Sequence, residues 1–342
     1  MRVFTGFQKG IDLGGWFSQC DHTEARYDTF ITAADFAVIR SWGCDHVRLP
    51  IDYELLEDKY GAPREQGYER LEQAIGWARE NGLNVVLDLH KTAGFSFDPG
   101  EQEAGFFENG KYQERFYALW ERIARRFGQY AGMLAFELLN EVTEREYGPV
   151  WNRIAAACVR RIRAYAPETK ILFGGYWHNS AAAVKDLPEP FDENIVYNFH
   201  CYEPLIFTHQ GAYWMPPMET SFRIPVTATY GEMAEAGRRY LNGSQAGLEA
   251  LPADGHLDSA YFEAFLAEAV RTAESRNVPL YCGEYGVIDK ASPEDALRWY
   301  SMIHAAFEKY GIGRAAWSYR QMDFGLSDPR MDAVRPALLR YL

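Results

Sequence analysis

A chain of 342 residues, 47% of them hydrophobic, can bury a sizeable core, as one barrel-sized domain or as two smaller ones. Its formal net charge of −13 excludes an electrostatic grip on nucleic acid or on an anionic membrane, and suits an enzyme acting on a neutral substrate. Most of the 22 Tyr, 21 Phe and 9 Trp belong in a core, but the surplus leaves aromatics to line a cleft.

The elements follow one another regularly. Lys9–Leu13 reads as a short strand, followed by Gly14-Gly15-Trp16. Thr32 and Asp35 form a capping box that opens a helix running to Trp42, with Gly43 as its stop. His46–Pro50 is the next strand, ended by its proline. A helix over Gly67–Asn81 places Leu71, Ile75 and Ala78 on one face. Asn84–His90 is an apolar strand with Asp88 and His90 at its end. Tyr112–Phe127 is helical, Met133–Leu139 is a buried strand, and Trp151–Tyr165 is helical again. Lys170–Phe173 is a strand leading into Gly174-Gly175, with at most a short helix at Ala181–Lys185. Ile195–His200 is a strand, a helix spans Ser259–Ser275, and Pro279–Cys282 is the strand before Glu284. Ser292-Pro293-Glu294-Asp295 is a helix start, with serine at the cap and acids at the positive end of the dipole. Ala315-Ala316-Trp317 closes the last strand, and Ala333–Leu342 reads as a terminal helix.

Eight alternating strand–helix units imply a parallel sheet closed as a (β/α)8 TIM barrel, in one domain covering residues 1–342. The oversized connection is Tyr202–Asp258, after the sixth strand, with a helix expected over Gly231–Leu241. It is rich in aromatics and proline, and a loop of this length on a barrel's active face is usually functional.

The cysteines, Cys20, Cys44, Cys158, Cys201 and Cys282, are odd in number and include no Cys-x-x-Cys. Reduced buried thiols are expected, not a disulfide framework or a zinc site. The segment Met1–Gly6 lacks a signal pattern, and no apolar run is long enough to span a membrane. The expectation is a cytoplasmic protein, secreted if a leader has been trimmed. Asn242-Gly243-Ser244 is a glycosylation sequon that matters only in a protein secreted from a eukaryote.

The chemistry lies at the strand ends. The run Met133–Leu139 closes in Asn140 and Glu141, and an amide and a carboxylate there are costly to bury without a purpose. A second apolar run, Val278–Cys282, ends in Glu284. Two strand-end glutamates far apart in sequence suggest a facing pair, the equipment for cleaving a glycosidic bond. The other strand ends bring Trp16, Arg48, His90, Trp177, His200, Tyr202 and Trp317 to the same face. Each alone has a structural explanation: a surface cation, a satisfied core histidine, a packing tryptophan. Their recurrence at corresponding places on separate strands favours a site.

The ordered set Arg48-Leu49-Pro50, Asp88-Leu89-His90, Leu139-Asn140-Glu141, His200-Cys201-Tyr202, Gly283-Glu284-Tyr285-Gly286 and Trp317-Ser318 resembles the fifth glycoside hydrolase family, the retaining cellulase type of clan A. The resemblance spans nearly the whole chain. It implies retaining hydrolysis of β-linked sugars without a cofactor; no metal site and no obligate protein partner are evident in the sequence. It implies Glu141 as acid/base and Glu284 as nucleophile. Arg48 and Tyr202 would support Glu284, and Asn140 would bind the 2-hydroxyl of the sugar being cleaved. His90 and His200 would line that subsite, with Trp317 as its floor. Trp16 and Trp177 are further sugar-stacking candidates, for which core packing serves equally well.

The chemistry asks for the same residue types. Retention needs an ionised nucleophile beside a cation and a hydroxyl donor, and an acid that begins protonated beside that charge. Glu141 is therefore expected to be raised by its neighbour Glu284.

Three other patterns lead elsewhere. Asp323-Phe324-Gly325 imitates a kinase metal motif without the rest of the kinase set, so Asp323 is left to reach a sugar hydroxyl or to shape the last loop. Gly311–Ala316 imitates a dinucleotide fingerprint but precedes a strand instead of following one. Asp88, His90, His200 and Glu284 are metal-ligand types, yet no His-x-His cluster accompanies them.

The expected activity is an endo-1,4-β-glucanase acting on glucan or cellodextrins by double displacement. The alternatives are a β-mannanase or exo-acting β-glucosidase of the same type, and, outside the class, a catalytically silent sugar-binding barrel or a metal-dependent hydrolase.

Overall fold

The computed structural model describes residues 1–342 apart from Pro99 and Ser244, so the serine of the Asn242-Gly243-Ser244 sequon lies outside the described residues. The strands are β1 (Lys9–Asp12), β2 (His46–Asp52), β3 (Asn84–Lys91), β4 (Leu134–Glu137), β5 (Lys170–Phe173), β6 (Ile195–Cys201), β7 (Leu280–Tyr285) and β8 (Gly313–Ala316). Each pairs in parallel with the next, and β8 pairs with β1, so the sheet closes into a barrel. Helices at Ala33–Ser41, Glu65–Glu80, Gly110–Phe127, Gly148–Arg163, Ser259–Ser275 and Pro293–Tyr310 form the outer layer. This is the (β/α)8 barrel that the alternation predicts.

The helices form where capping and apolar spacing agree. In Gly110–Phe127 the Asn109 side chain accepts from the Lys111 N–H, and Phe116, Trp120, Ile123 and Phe127 bury one stripe. Burying each such side chain contributes about 1.5–3 kcal/mol. Ser292 accepts from the Asp295 N–H to open Pro293–Tyr310, and Gly311 closes that helix at φ 65°, in the left-handed region that favours glycine. The layer is thinner after β5, where a 3-10 helix at Ala181–Asp186 stands in for an α-helix.

Alternation along the strands sorts the barrel interior into layers. Phe4, Phe7, Val86, Ala135, Leu172, Val196, Tyr281 and Ala315 form a separate apolar plug. Two residues further along their strands stand Asp88, Glu137 and Asn198, joined by Asp12 and Arg48, all fully buried. Two further on, β3 and β6 present His90 and His200. The apolar plug thus supports a polar layer, and the polar layer supports the strand-end residues.

The structure corrects several boundaries. Pro50 does not end its strand, for β2 continues to Asp52 and pairs Pro50 with Asp88. The Arg48 carbonyl accepts from Leu13 and the Asp52 N–H donates to Phe17, so Pro50 faces the same side, where β1 has already ended. Its missing N–H breaks no ladder there. Glu284 lies inside β7 rather than beyond it. The terminal helix shrinks to one turn, Arg335–Leu338. The chain end is drawn inward instead, and the Leu342 carbonyl accepts from Nη2 of Arg314 at 2.6 Å.

The connection after β6 carries short helical turns at Leu205–Thr208 and Ala246–Glu249, and a helix at Tyr230–Tyr240. Thr229 and Glu232 form a capping box at the start of that helix. Its far part rests on the outer layer, with Tyr230 stacked on Tyr261 at 6.0 Å. Its near part turns to the barrel mouth, where Ala212 and Met215 pack with Trp317, Phe324 and Ile288. All the cysteines are free, and each is buried except Cys20, which is half-buried. No helix among the described residues is long and apolar enough to cross a membrane.

Candidate active site

Arg48 sits at the centre of the polar layer, fully buried. Its Nη1 donates to Glu284 Oε1 at 2.7 Å and to Asp12 Oδ1 at 3.1 Å. Nε and Nη2 take both oxygens of Glu137, at 2.7 and 2.8 Å. Nη2 also donates to Asn140 Oδ1 at 2.9 Å and lies 3.0 Å from Asp88 Oδ2. One guanidinium cannot neutralise four carboxylates, and burial favours the neutral form of two of them. Burial pushes Asp12 well above the ordinary carboxylate range against the pull of Arg48, and burial raises Glu137 in the same way.

Glu284 is held at both oxygens, by Arg48 and by the Tyr202 hydroxyl, which donates to Oε2 at 2.8 Å. A shift of register between Phe199 and His200 sets His200 directly beside Glu284. Gly283 permits this: a Cβ there would stand 2.7 Å from Asn198 Oδ1 and 3.0 Å from His200 Nε2.

Beyond β4 the chain stays tied to its neighbours, with the Leu138 N–H on Leu172 and the Asn140 N–H on Leu89. This fixes Asn140 and Glu141 at the mouth. With Asn140 Oδ1 bound to Arg48, its amide nitrogen points to His90 Nε2, 3.5 Å away. His90 is anchored from behind by Asp88 at 2.6 Å, and its ring runs parallel to Trp317 with centroids 5.8 Å apart. Gly14 accommodates the indole, since a Cβ there would come within 2.5 Å of it.

Glu141 has two imidazole partners. His200 Nδ1 lies 2.8 Å from Oε1, and His178 Nδ1 lies 2.7 Å from Oε2. Burial pushes the Glu141 carboxyl up, but the charge and hydrogen bonds of His178 and His200 prevail and hold it well below the ordinary range. Burial pulls His178 down, and Glu141 more than offsets it, so His178 is raised. The expectation that Glu284 would raise Glu141 is therefore corrected. The imidazoles act at hydrogen-bond distance and outweigh the like charge. An oxygen of Glu141, an oxygen of Glu284 and a ring nitrogen of His200 all lie within 4.8 Å of one another.

The structure gathers Arg48, His90, Asn140, Glu141, His200, Tyr202, Glu284 and Trp317 around one mouth. Trp177 stands at its edge, about half exposed, beside His178. Of the two readings open for Trp16 the structure favours packing: it is buried, stacked on Phe17 and on Trp77, and its indole N–H donates to the Tyr27 carbonyl at 2.9 Å. Of the four metal-ligand types, His200 and Glu284 come together with Glu141, whereas Asp88 pairs with His90 and lies 3.0 Å from Arg48. Sequence reasoning missed Asp12, Glu137 and Asn198, although the alternations Val86-Asp88-His90 and Val196-Asn198-His200 carry that layer. It also missed His178, which follows a glycine pair and has no periodic signal.

The model of the family described as cellulase (glycosyl hydrolase family 5) matches residues 8–323. The chain is 48% identical to cellodextrinase A of Ruminococcus flavefaciens over 309 residues, covering 90% of this chain and 84% of that protein. It is 34% identical to endoglucanase C of Acetivibrio thermocellus over 340 residues, covering 98% of each. Among solved structures, the endoglucanase of Thermotoga maritima matches with a TM-score of 0.76 at 24% identity, over 98% of this chain and 97% of that one, and so has the same fold. The chain is a glycoside hydrolase and belongs to the cellulase family, glycosyl hydrolase family 5.

Proposed function

We propose that this hydrolase cleaves β-1,4-linked cellodextrins and soluble glucan with retention, using Glu284 as nucleophile and Glu141 as acid and then base. The observation that carries the reading is the approach of their oxygens to within 4.8 Å. Retaining pairs stand about 5 Å apart, whereas inverting pairs need about 6.5–9.5 Å to admit a water. The curated relatives named as a cellodextrinase and an endoglucanase support glucan as the substrate.

In the first displacement a Glu284 oxygen attacks the anomeric carbon while Glu141 protonates the departing oxygen. In the second, Glu141 takes a proton from the water that releases the glycosyl ester. Arg48 and Tyr202 fix the aim of Glu284. Asn140, its carbonyl engaged by Arg48, offers its NH2 to the 2-hydroxyl, and His90 and Trp317 shape the same subsite. Trp177 serves the leaving-group side, because its neighbour His178 touches Glu141. The near part of the Tyr202–Asp258 connection walls the cleft and favours short chains.

A panel of cello- and manno-oligosaccharides with product sizing tests the substrate. Release of cellobiose and cellotriose supports the reading, and turnover of manno-oligosaccharides alone contradicts it. Glu141→Ala tests the acid. Hydrolysis of cellotetraose is expected to fall by about 10²–10⁴, and hydrolysis of a dinitrophenyl cellobioside, whose leaving group needs no proton, far less. Equal losses on both substrates would remove Glu141 from the role.

A further inference from the structure

His178 is built into place by the chain that carries Glu141. Trp177, His178 and Asn179 all have φ between 51° and 56°, in the left-handed region that non-glycine residues rarely enter. Such a run persists only where the surroundings over-determine it. The Trp177 N–H donates to the Thr143 carbonyl and the His178 N–H to the Val142 carbonyl, both at 3.0 Å. Those carbonyls belong to the two residues that follow Glu141. On the other side, Ser180 forms a bridge to His200. The backbone thus fastens the His178 ring to one oxygen of Glu141.

The two imidazoles on Glu141 differ in surroundings. The His200 side chain is 2% exposed, so a bound sugar changes little around it. The His178 side chain is 55% exposed, at the mouth, next to half-exposed Trp177. A sugar on the leaving-group side strips water from His178 and from the Glu141 oxygen it touches. Removing water from an ion pair favours its neutral form.

We propose that His178 is the proton partner of Glu141: it holds the proton in the free enzyme and passes it to Glu141 when a sugar covers the pair. The Nδ1–H bond of the imidazolium breaks and an Oε2–H bond forms, leaving a neutral imidazole and a neutral carboxylic acid. That proton then goes to the glycosidic oxygen, which keeps the electron pair of the broken bond to the anomeric carbon. In the second displacement water bonds to the anomeric carbon as the Glu284 ester bond breaks, and its proton goes to Glu141. Once product leaves and water returns, the proton moves back to His178 Nδ1, closing the cycle.

The other groups facing the pair are few. Glu141 meets His200 from β6 and Glu284 from β7, with Tyr202 and His209 from the segment after β6. Glu144 and Glu284 add negative potential at His178. With the pair intact, its last proton is held by His178, and the protonated form survives to a pH above the ordinary histidine range. Without His178, Glu141 keeps only its contact with His200 at Oε1, and the proton is lost at lower pH.

The inference rests on Glu141 being the acid, which Glu141→Ala tests by itself. The closing experiment compares wild type with His178→Asn and His178→Gln. Asparagine tolerates the left-handed backbone, and glutamine keeps a donor of greater reach. For cellotetraose, the alkaline limb of kcat/KM is expected to move acidward by about one pH unit or more in both variants, since that limb reports the free enzyme's acid. The limb for a dinitrophenyl cellobioside is expected to stay in place. A cellotetraose limb that coincides with wild type would make His178 only a cleft wall and overturn the proposal, whatever the Glu141→Ala result. Ring-nitrogen NMR of His178 in the wild-type enzyme keeps the test open if both variants unfold. The ring is expected to be charged when free at pH 7 and neutral with a thio-linked cellotetraose bound, and a charge unchanged by binding would overturn the proposal.

Discussion

The Tyr202 hydroxyl donates to Oε2 of Glu284 at 2.8 Å, on the oxygen that Arg48 does not touch. Each carboxyl oxygen thus has its own donor, one from β2 and one from the residue that follows β6. Tyr202→Phe removes one of them without altering the packing of the ring against His209 and Phe324. A hydrogen bond to a charged group contributes about 1.5–3 kcal/mol, so kcat/KM is expected to fall about tenfold to a hundredfold. The melting temperature is expected to stay close to wild type. Steady-state kinetics and a thermal scan check both, and an unchanged kcat/KM would show that Tyr202 does not orient Glu284.

Asp12 is fully buried, with Oδ1 on Arg48 and Oδ2 without a partner. Burial holds it well above its ordinary value of 3.8. Its folded pKa therefore exceeds its unfolded one. The folded protein keeps a proton that the unfolded chain releases, and this site makes stability fall as pH rises from about 4 toward the folded pKa. Asp12→Asn abolishes that contribution. Denaturant midpoints at pH 5 and pH 8 are expected to show a smaller decline in the variant than in wild type. A decline of equal size would place the proton elsewhere.

The near part of the long connection reaches the site through aromatic contacts. His209 lies 5.4 Å from Phe324, and Trp214 lies 6.1 Å from His209, ring to ring. Replacing Tyr213–Phe222 with a short Gly/Ser link is expected to raise activity on soluble polymer relative to cellotetraose. The ratio of the two rates, measured on a variant with native circular dichroism, decides the matter. An unchanged ratio would mean that the connection does not limit chain length in the cleft.

Much of this molecule was legible from strand ends. Asn140, Glu141 and Glu284 stand out because polar residues closing apolar runs are costly without a purpose, and Arg48 through the strand-end pattern and the motif Arg48-Leu49-Pro50. The barrel followed from alternation alone. The boundary errors have physical sources. Pro50 looked like a terminus because sequence does not reveal that β1 ends before it. Trp16 reads equally as sugar platform or core because a strand-end tryptophan gives no sign of a second tryptophan, Trp77, stacked on it. The layer of Asp12, Glu137 and Asn198 is present as a two-residue alternation, but it runs beneath the strand ends, where a buried polar residue has no apolar run to close. His178 was out of reach. Its position depends on three consecutive left-handed residues and on backbone bonds to Val142 and Thr143, none of which has a sequence pattern. The protonation of Glu141 was misjudged for the same reason, since its dominant partner was unseen.

The central claim is that Glu284 forms the glycosyl bond while Glu141 handles the proton. A 2-deoxy-2-fluoro cellobiosyl fluoride reacts through the first displacement and stalls before the second, leaving the sugar on the nucleophile. Peptide mapping by mass spectrometry then reads the labelled residue. The account predicts one label, on Glu284, and none in Glu284→Ala. A label on Glu141 or any other residue, or no label while the reagent is turned over with inversion, would contradict it.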